Sequence, residues 1–126
     1  MSAMSAKSES SPDGTAMYQK IFGKPAPSGE PLRGLKELAI NHLFAKVWTR
    51  EGLSIRDRRL VTVALLAAQG RADQLRDHIR GARLGEDPLT EVEIQELMIH
   101  VAHYAGWASG TSGQAVASAV FSELGS

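Results

Sequence analysis

Three residues in "GRADQLRDHIRGA" (70–82) carry side chains suited to acid–base and anion chemistry: Arg71, Gln74 and His78. Their spacings of three and four set them on one face of a helix. Leu75 and Ile79 mark that helix's apolar flank, so His78 stands where core meets polar face. At such a boundary an imidazole pKa can move in either direction. The residue is then either a proton-transfer group or a structural hydrogen-bonder.

A second group closes the segment "HVAHYAGW" (100–107). His100 and Tyr104 lie one helical turn apart, as do His103 and Trp107. His100 with His103 has a spacing that two metal ligands could use. No HExxH accompanies it, and carboxylates at ligand spacing are missing, so no metal site is expected. The aromatic end suits the wall of a pocket or an interface. A third group, "SIRDRR" (54–59), opens a helix whose first-turn amides and dipole favour an anion. The plainer alternative leaves Arg56 and Arg58 solvated. No Walker loop, GxGxxG, GxSxG or DNA-reading helix is present.

The composition bounds these options. Fourteen basic and fourteen acidic residues cancel, so no overall field attracts nucleic acid or an anionic membrane. The charge is nonetheless uneven: eight arginines lie between Arg50 and Arg83, and six acids with no Lys or Arg follow. A small anionic ligand fits that middle segment. The absence of cysteine excludes disulfides, thiolate metal sites and thiol redox chemistry. No apolar run is long enough to span a membrane, and no signal-peptide core opens the chain, so a cytoplasmic protein is expected.

The elements that must position these residues are helical. Residues 1–14 lack Leu, Ile, Val and aromatics and read as a disordered tail, with a single domain over 15–126. "GKPAPSGEP" (23–31) reads as a connector. Leu35, Leu38, Ala39, Leu43, Val47 and Trp48 then follow a helical period, predicting a helix over 32–48. Ser54 and Asp57 suggest a capping box before the apolar "LVTVALLAAQ", with Gly70 at its C′ position. Further helices are expected over 72–84, from Thr90 with a Thr90/Glu93 capping box, and over 109–123. The fold class is an all-α single-domain helical bundle. Two buried-looking helices in a short chain favour association, and the small-residue stretch "ASGTSGQAVASAV" suits close helix contact, either between copies or within one.

Taken together, "VWTREGLSIRDRRLVTVALLAA", "QLRDHIRGA" and "HVAHYAGW" after "TEVEI" closely resemble the carboxymuconolactone decarboxylase family, over about Phe22 to Phe121. The resemblance implies the alkylhydroperoxidase D-like all-α fold and homotrimers or homohexamers. The peroxidase-like branch of that fold carries Cys-x-x-Cys-x-x-x-His and a glutamate on the preceding helix. Here the cysteine positions match Arg71 and Gln74, the histidine matches His78, and the glutamate position matches Arg59. Thiol peroxidase chemistry is therefore absent. The decarboxylase branch keeps the pattern Gln74-Leu75-x-x-His78.

That branch implies a γ-lactone acid substrate that loses its ring carboxylate without a cofactor, because electrons flow through the C=C bond onto the lactone carbonyl. On this reading His78 moves the proton and Gln74 steadies oxyanion charge. Arg59 or Arg71 holds a carboxylate, and Tyr104 and Trp107 line the substrate site. The competing expectation is a helical oligomer that binds or transforms another small carboxylic acid. The roles of His42, His100 and His103 stay open.

Overall fold

Ser11, Ser54 and Thr90 each cap a helix. The Ser11 hydroxyl accepts from the Gly14 amide at 3.3 Å, Ser54 from Asp57 at 3.0 Å, and Thr90 from Glu93 at 3.0 Å. The Glu93 carboxylate returns a bond to the Thr90 amide at 2.8 Å, completing the expected capping box. At Ser54 only the first half forms, because Asp57 is one methylene shorter than the glutamate a box requires.

The computed structural model describes residues 11–27 and 33–125. It is all-α, with no strand among those residues. The helices are α1 (Pro12–Phe22), α2 (Gly34–Leu38, continued by a π-helical stretch Ala39–Val47), α3 (Ile55–Gln69), α4 (Ala72–Leu84), α5 (Glu91–Ala105) and α6 (Trp107–Glu123). None of these is long and apolar enough to cross a membrane.

Helix α1 corrects the expected tail. Ser11 is its N-cap and Pro12 opens its first turn, a position where a missing N–H costs nothing. Residues 11–14 therefore belong to a capped helix, and residues 1–10 of the expected tail lie outside the described residues. The connector expected at 23–31 is described only as far as Pro27.

The face of α2 also differs from expectation. Bonds of the i→i+5 type, such as Trp48 N–H to Leu43 C=O at 3.0 Å, widen its turn. Ile40, Phe44 and Trp48, four residues apart, turn inward, while Leu35 is 85% exposed and Leu38 and Leu43 are also exposed. Of the expected stripe Trp48 is buried and Ala39 and Val47 are half-buried; a 3.6-residue period misplaces the leucines because the segment winds more slowly.

The core has two parts. Val63, Leu75, Ile79, Ile94, Met98 and Val120 anchor the larger one, between α3, α4, α5 and α6. Met17, Ile21, Ile40, Phe44 and Trp48 form a smaller one between α1 and α2. Of the small residues of α6, Gly110, Gly113 and Ala117 are buried within the chain, while Ser112, Ala115, Ser118 and Ala119 are exposed. A Cβ at Gly110 would stand 2.6 Å from that of Ala102, and one at Gly113 would stand 2.6 Å from the Met98 sulfur. Val61 and Leu65 of α3 and Val92 and Ile99 of α5 are exposed.

Candidate active site

Helix α4 forms over the expected residues and buries Leu75, Ile79 and Ala82 against the larger core. That packing fixes the rotation of the helix and turns His78 toward the smaller core. The imidazole lies 4.8 Å from the Phe22 ring, centroid to centroid, and 6.3 Å from Trp48, nearly parallel to it at 14°. Phe22 in turn packs on Tyr18 at 4.5 Å and edge-on against Phe44 at 5.8 Å. Aromatic rings from α1 and α2 therefore wall one side of His78, which makes no hydrogen bond among the described residues.

This setting decides the direction that the sequence left open. Burial lowers the His78 pKa to about 4, Asp77 beside it opposes the shift, and the Arg59 charge adds to it. The ring is neutral at pH 7, with one nitrogen able to donate an N–H bond and the other to accept one. A carboxylate bound beside it would raise its proton affinity again. Tyr18 is pushed upward by burial and then by Asp77, so its hydroxyl keeps its proton.

A stability prediction follows. In the unfolded chain the imidazole titrates near 6.5, so between that value and about 4 the unfolded state binds the extra proton. Stability should fall as pH drops through this window, by up to about 2–3 kcal/mol, and this contribution should level off below it. Denaturant titrations of wild type and His78→Phe from pH 7 to 4 check it. The difference between the two curves should carry the slope, and parallel curves would refute it.

The other expected site residues divide. Gln74 stands one turn before His78 on α4. Arg71 lies outside the helix, at its N-cap with non-helical backbone angles, so the expected row holds for Gln74 and His78 only; both Gln74 and Arg71 are exposed. Arg59 does not join them. It is only 2% exposed, and four of its N–H bonds go to backbone carbonyls. Nη1 donates to Ile21 at 2.7 Å, Nη2 to Lys20 at 2.9 Å and Glu86 at 2.6 Å, and Nε to Glu86 at 3.1 Å. A guanidinium so engaged has no fork left for a substrate carboxylate. The expectation that Arg59 holds a substrate carboxylate is corrected on this ground, while the other arginine expected there, Arg71, is exposed.

Tyr104 and Trp107 are 83% and 71% exposed at the corner between α5 and α6. Their ring contacts are with His100 at 4.6 Å and His103 at 5.4 Å, not with His78. Trp107 instead borders an apolar groove of about 420 Å³ between α5 and α6, with Met98, Ala102 and Gly110. His103 Nδ1 pairs with the Ile99 carbonyl at 2.7 Å. Among the described residues no three His, Asp or Glu are grouped to hold a metal ion.

Phe22 and Trp48 pack on His78, with Tyr18 behind Phe22, and none of the three is expected there from the sequence. A signal existed, since Tyr18 and Phe22 are four apart behind a Ser-Pro helix start.

A family model described as the carboxymuconolactone decarboxylase family matches residues 34–119, leaving α1 outside. The chain is 39% identical over 82 residues to 4-carboxymuconolactone decarboxylase of Acinetobacter baylyi, covering 65% of this chain and 60% of that protein. It is 37% identical over 71 residues to the nitrosuccinic acid decarboxylase of Metarhizium robertsii, covering 56% of this chain and 48% of that protein. The chain thus spans between about half and three-fifths of the length of these relatives.

Proposed function

Because this chain belongs to the carboxymuconolactone decarboxylase family, we propose that it is a cofactor-free carboxy-lyase acting on 4-carboxymuconolactone or a closely related γ-lactone acid. The observation that carries this reading is the His78 ring, packed against Phe22 and Trp48 on one side, with exposed Gln74 one turn before it on α4 and exposed Arg71 at that helix's N-cap.

The chemistry suits such a site. Breaking the bond between ring carbon and carboxylate releases CO₂ and leaves its electron pair in the ring. The pair moves through the C=C bond onto the lactone carbonyl, giving a dienolate, and a proton added to a ring carbon yields the enol-lactone of 3-oxoadipate. The substrate supplies its own electron sink. Arg71 pairs with the spectator carboxylate, and Gln74 donates to the oxyanion. His78 takes up a proton as the dicarboxylate raises its affinity, then passes it to carbon after CO₂ has left.

The fungal relative favours a second reading. Nitrosuccinic acid, like the lactone, is a dicarboxylate with a built-in electron sink, here a nitro group in place of the conjugated lactone. A related acid of that chemistry is the alternative substrate.

Measuring CO₂ release from both acids tests the two readings. Release from the lactone, matched by enol-lactone formation, supports the first; release from the nitro acid alone selects the second. No release from either would leave a family member that acts on another small acid. Turnover should survive chelators, because the substrate provides the electron sink, and thiol-blocking reagents, because the chain has no cysteine. Loss of activity with a chelator, restored by zinc, would overturn this mechanism.

The proposal includes a homo-oligomer, a trimer or hexamer, working in the cytoplasm in aromatic-acid breakdown. Its support is the exposed Val61, Leu65, Val92 and Ile99 on neighbouring helices, more apolar surface than a small monomer comfortably leaves in water. Sedimentation at micromolar concentration should give a multiple of 13.5 kDa. A stable folded monomer would count against it.

A further inference from the structure

Helix α1 walls His78, yet it lies outside the segment that the family model matches. Something in this chain must hold it there. Its last turn ends at Gly23, whose left-handed conformation (φ 70°) turns the chain away and leaves carbonyls of the final turn without helical partners. The guanidinium of Arg59, from the first turns of α3, donates to two of them, Lys20 and Ile21, the residues just before Phe22. The same fork donates to Glu86 in the loop after α4, and the Glu86 amide donates back to Lys20 at 2.7 Å. Two glycines make room. A Cβ at Gly81 or Gly85 would collide with the Ile21 or Lys20 carbonyl, and at Gly85 it would also stand 2.5 Å from Arg59 Nη2.

We infer that Arg59 is a positioning residue: it clamps the end of α1 to α3 and to the loop after α4, and so holds the Phe22 ring against His78. The full guanidinium fork is needed, because three carbonyls from two separate segments converge on it. The inference concerns the environment of His78. Its bearing on turnover rests on the decarboxylase reading, so the test reads the ring directly and is independent of any substrate.

The groups that act on His78 are Asp77, its neighbour on α4, and Arg59 from α3. Helix α1 presents Phe22, with Tyr18 behind it, and α2 presents Trp48. The experiment follows the His78 ring signal by NMR during pH titration of the full chain, identified by its loss in His78→Gln. Phe22→Ala should raise the midpoint by about one pH unit or more, because water replaces the ring. Arg59→Lys keeps the positive charge but not the fork, and should raise the midpoint in the same direction. Gly85→Ala keeps Arg59 itself and wedges the clamp apart; it should do likewise. Added to Phe22→Ala, Arg59→Lys should move the midpoint no further, since both act through one contact.

A purely structural Arg59 would give a different pattern. Arg59→Lys would lower the melting temperature and leave the His78 midpoint where it is in wild type, which would overturn the inference. Full additivity of Arg59→Lys with Phe22→Ala would also overturn it. Should Gly85→Ala fail to fold, the Phe22→Ala and Arg59→Lys comparison still decides.

Discussion

Replacing His78 by alanine is expected to lower kcat for decarboxylation by about 10²–10⁴, the usual contribution of a positioned acid–base group. The expectation rests on the neutral, half-buried ring and on its place beside Gln74 and Arg71. Because the ring packs on Phe22 and Trp48, alanine also removes contact area, so His78→Gln belongs in the same experiment. Both variants should lose turnover while sedimentation and circular dichroism stay as in wild type. Arg71→Ala should behave differently and chiefly raise KM, because a charge contact made equally in ground and transition states is uniform binding. A His78→Gln variant with a lower melting temperature and an unchanged kcat would make the histidine a packing residue and remove it from the mechanism.

Replacing Arg59 by methionine is expected to destabilise the fold by about 3–5 kcal/mol, since it strips charged donors from the buried Ile21 carbonyl and from the part-buried Lys20 and Glu86 carbonyls. Ile21 and Glu86 lose their side-chain partner, and Lys20 keeps only the Glu86 amide. Set against a typical total of about 5–15 kcal/mol, that is a large share. For a chain of this size it corresponds to a drop in Tm of about 10–20 °C. The same variant distinguishes the two roles considered for this arginine. A substrate-binding arginine would raise KM and leave Tm nearly unchanged. Thermal unfolding beside steady-state kinetics separates the outcomes, and an unmoved Tm would return Arg59 to the binding site.

Much of the helical framework was legible in one dimension. Helix α4 begins and ends where its pattern and Gly85 place it, and the Thr90/Glu93 box forms as read. Gly70 takes the left-handed conformation expected of a helix stop. These features succeed because caps, stops and helical faces depend on residues within one or two turns of each other. The misreadings have local causes too. The π-helical winding of α2 turns Ile40 and Phe44 inward beside the expected Trp48 and the leucines outward, and the cap and first turn of α1 lie in the segment expected to be a tail.

The sequence by itself determined a helical chain without thiol chemistry, and it determined that Gln74 and His78 stand one turn apart on one helix, with Arg71 just before its start. Those properties follow from residue type and a spacing of three or four. Only the tertiary structure decided what each member of the site faces. Arg59 and Ile21 are separated by 38 residues, and no periodicity reveals that the guanidinium of one caps the helix that ends beside the other. The His78 proton affinity was likewise undecided until Phe22 and Trp48 arrived from two other helices to exclude water from one side of the ring. Desolvation and long-range hydrogen bonding are properties of packed surfaces, and packing brings together residues whose separation along the chain carries no signal.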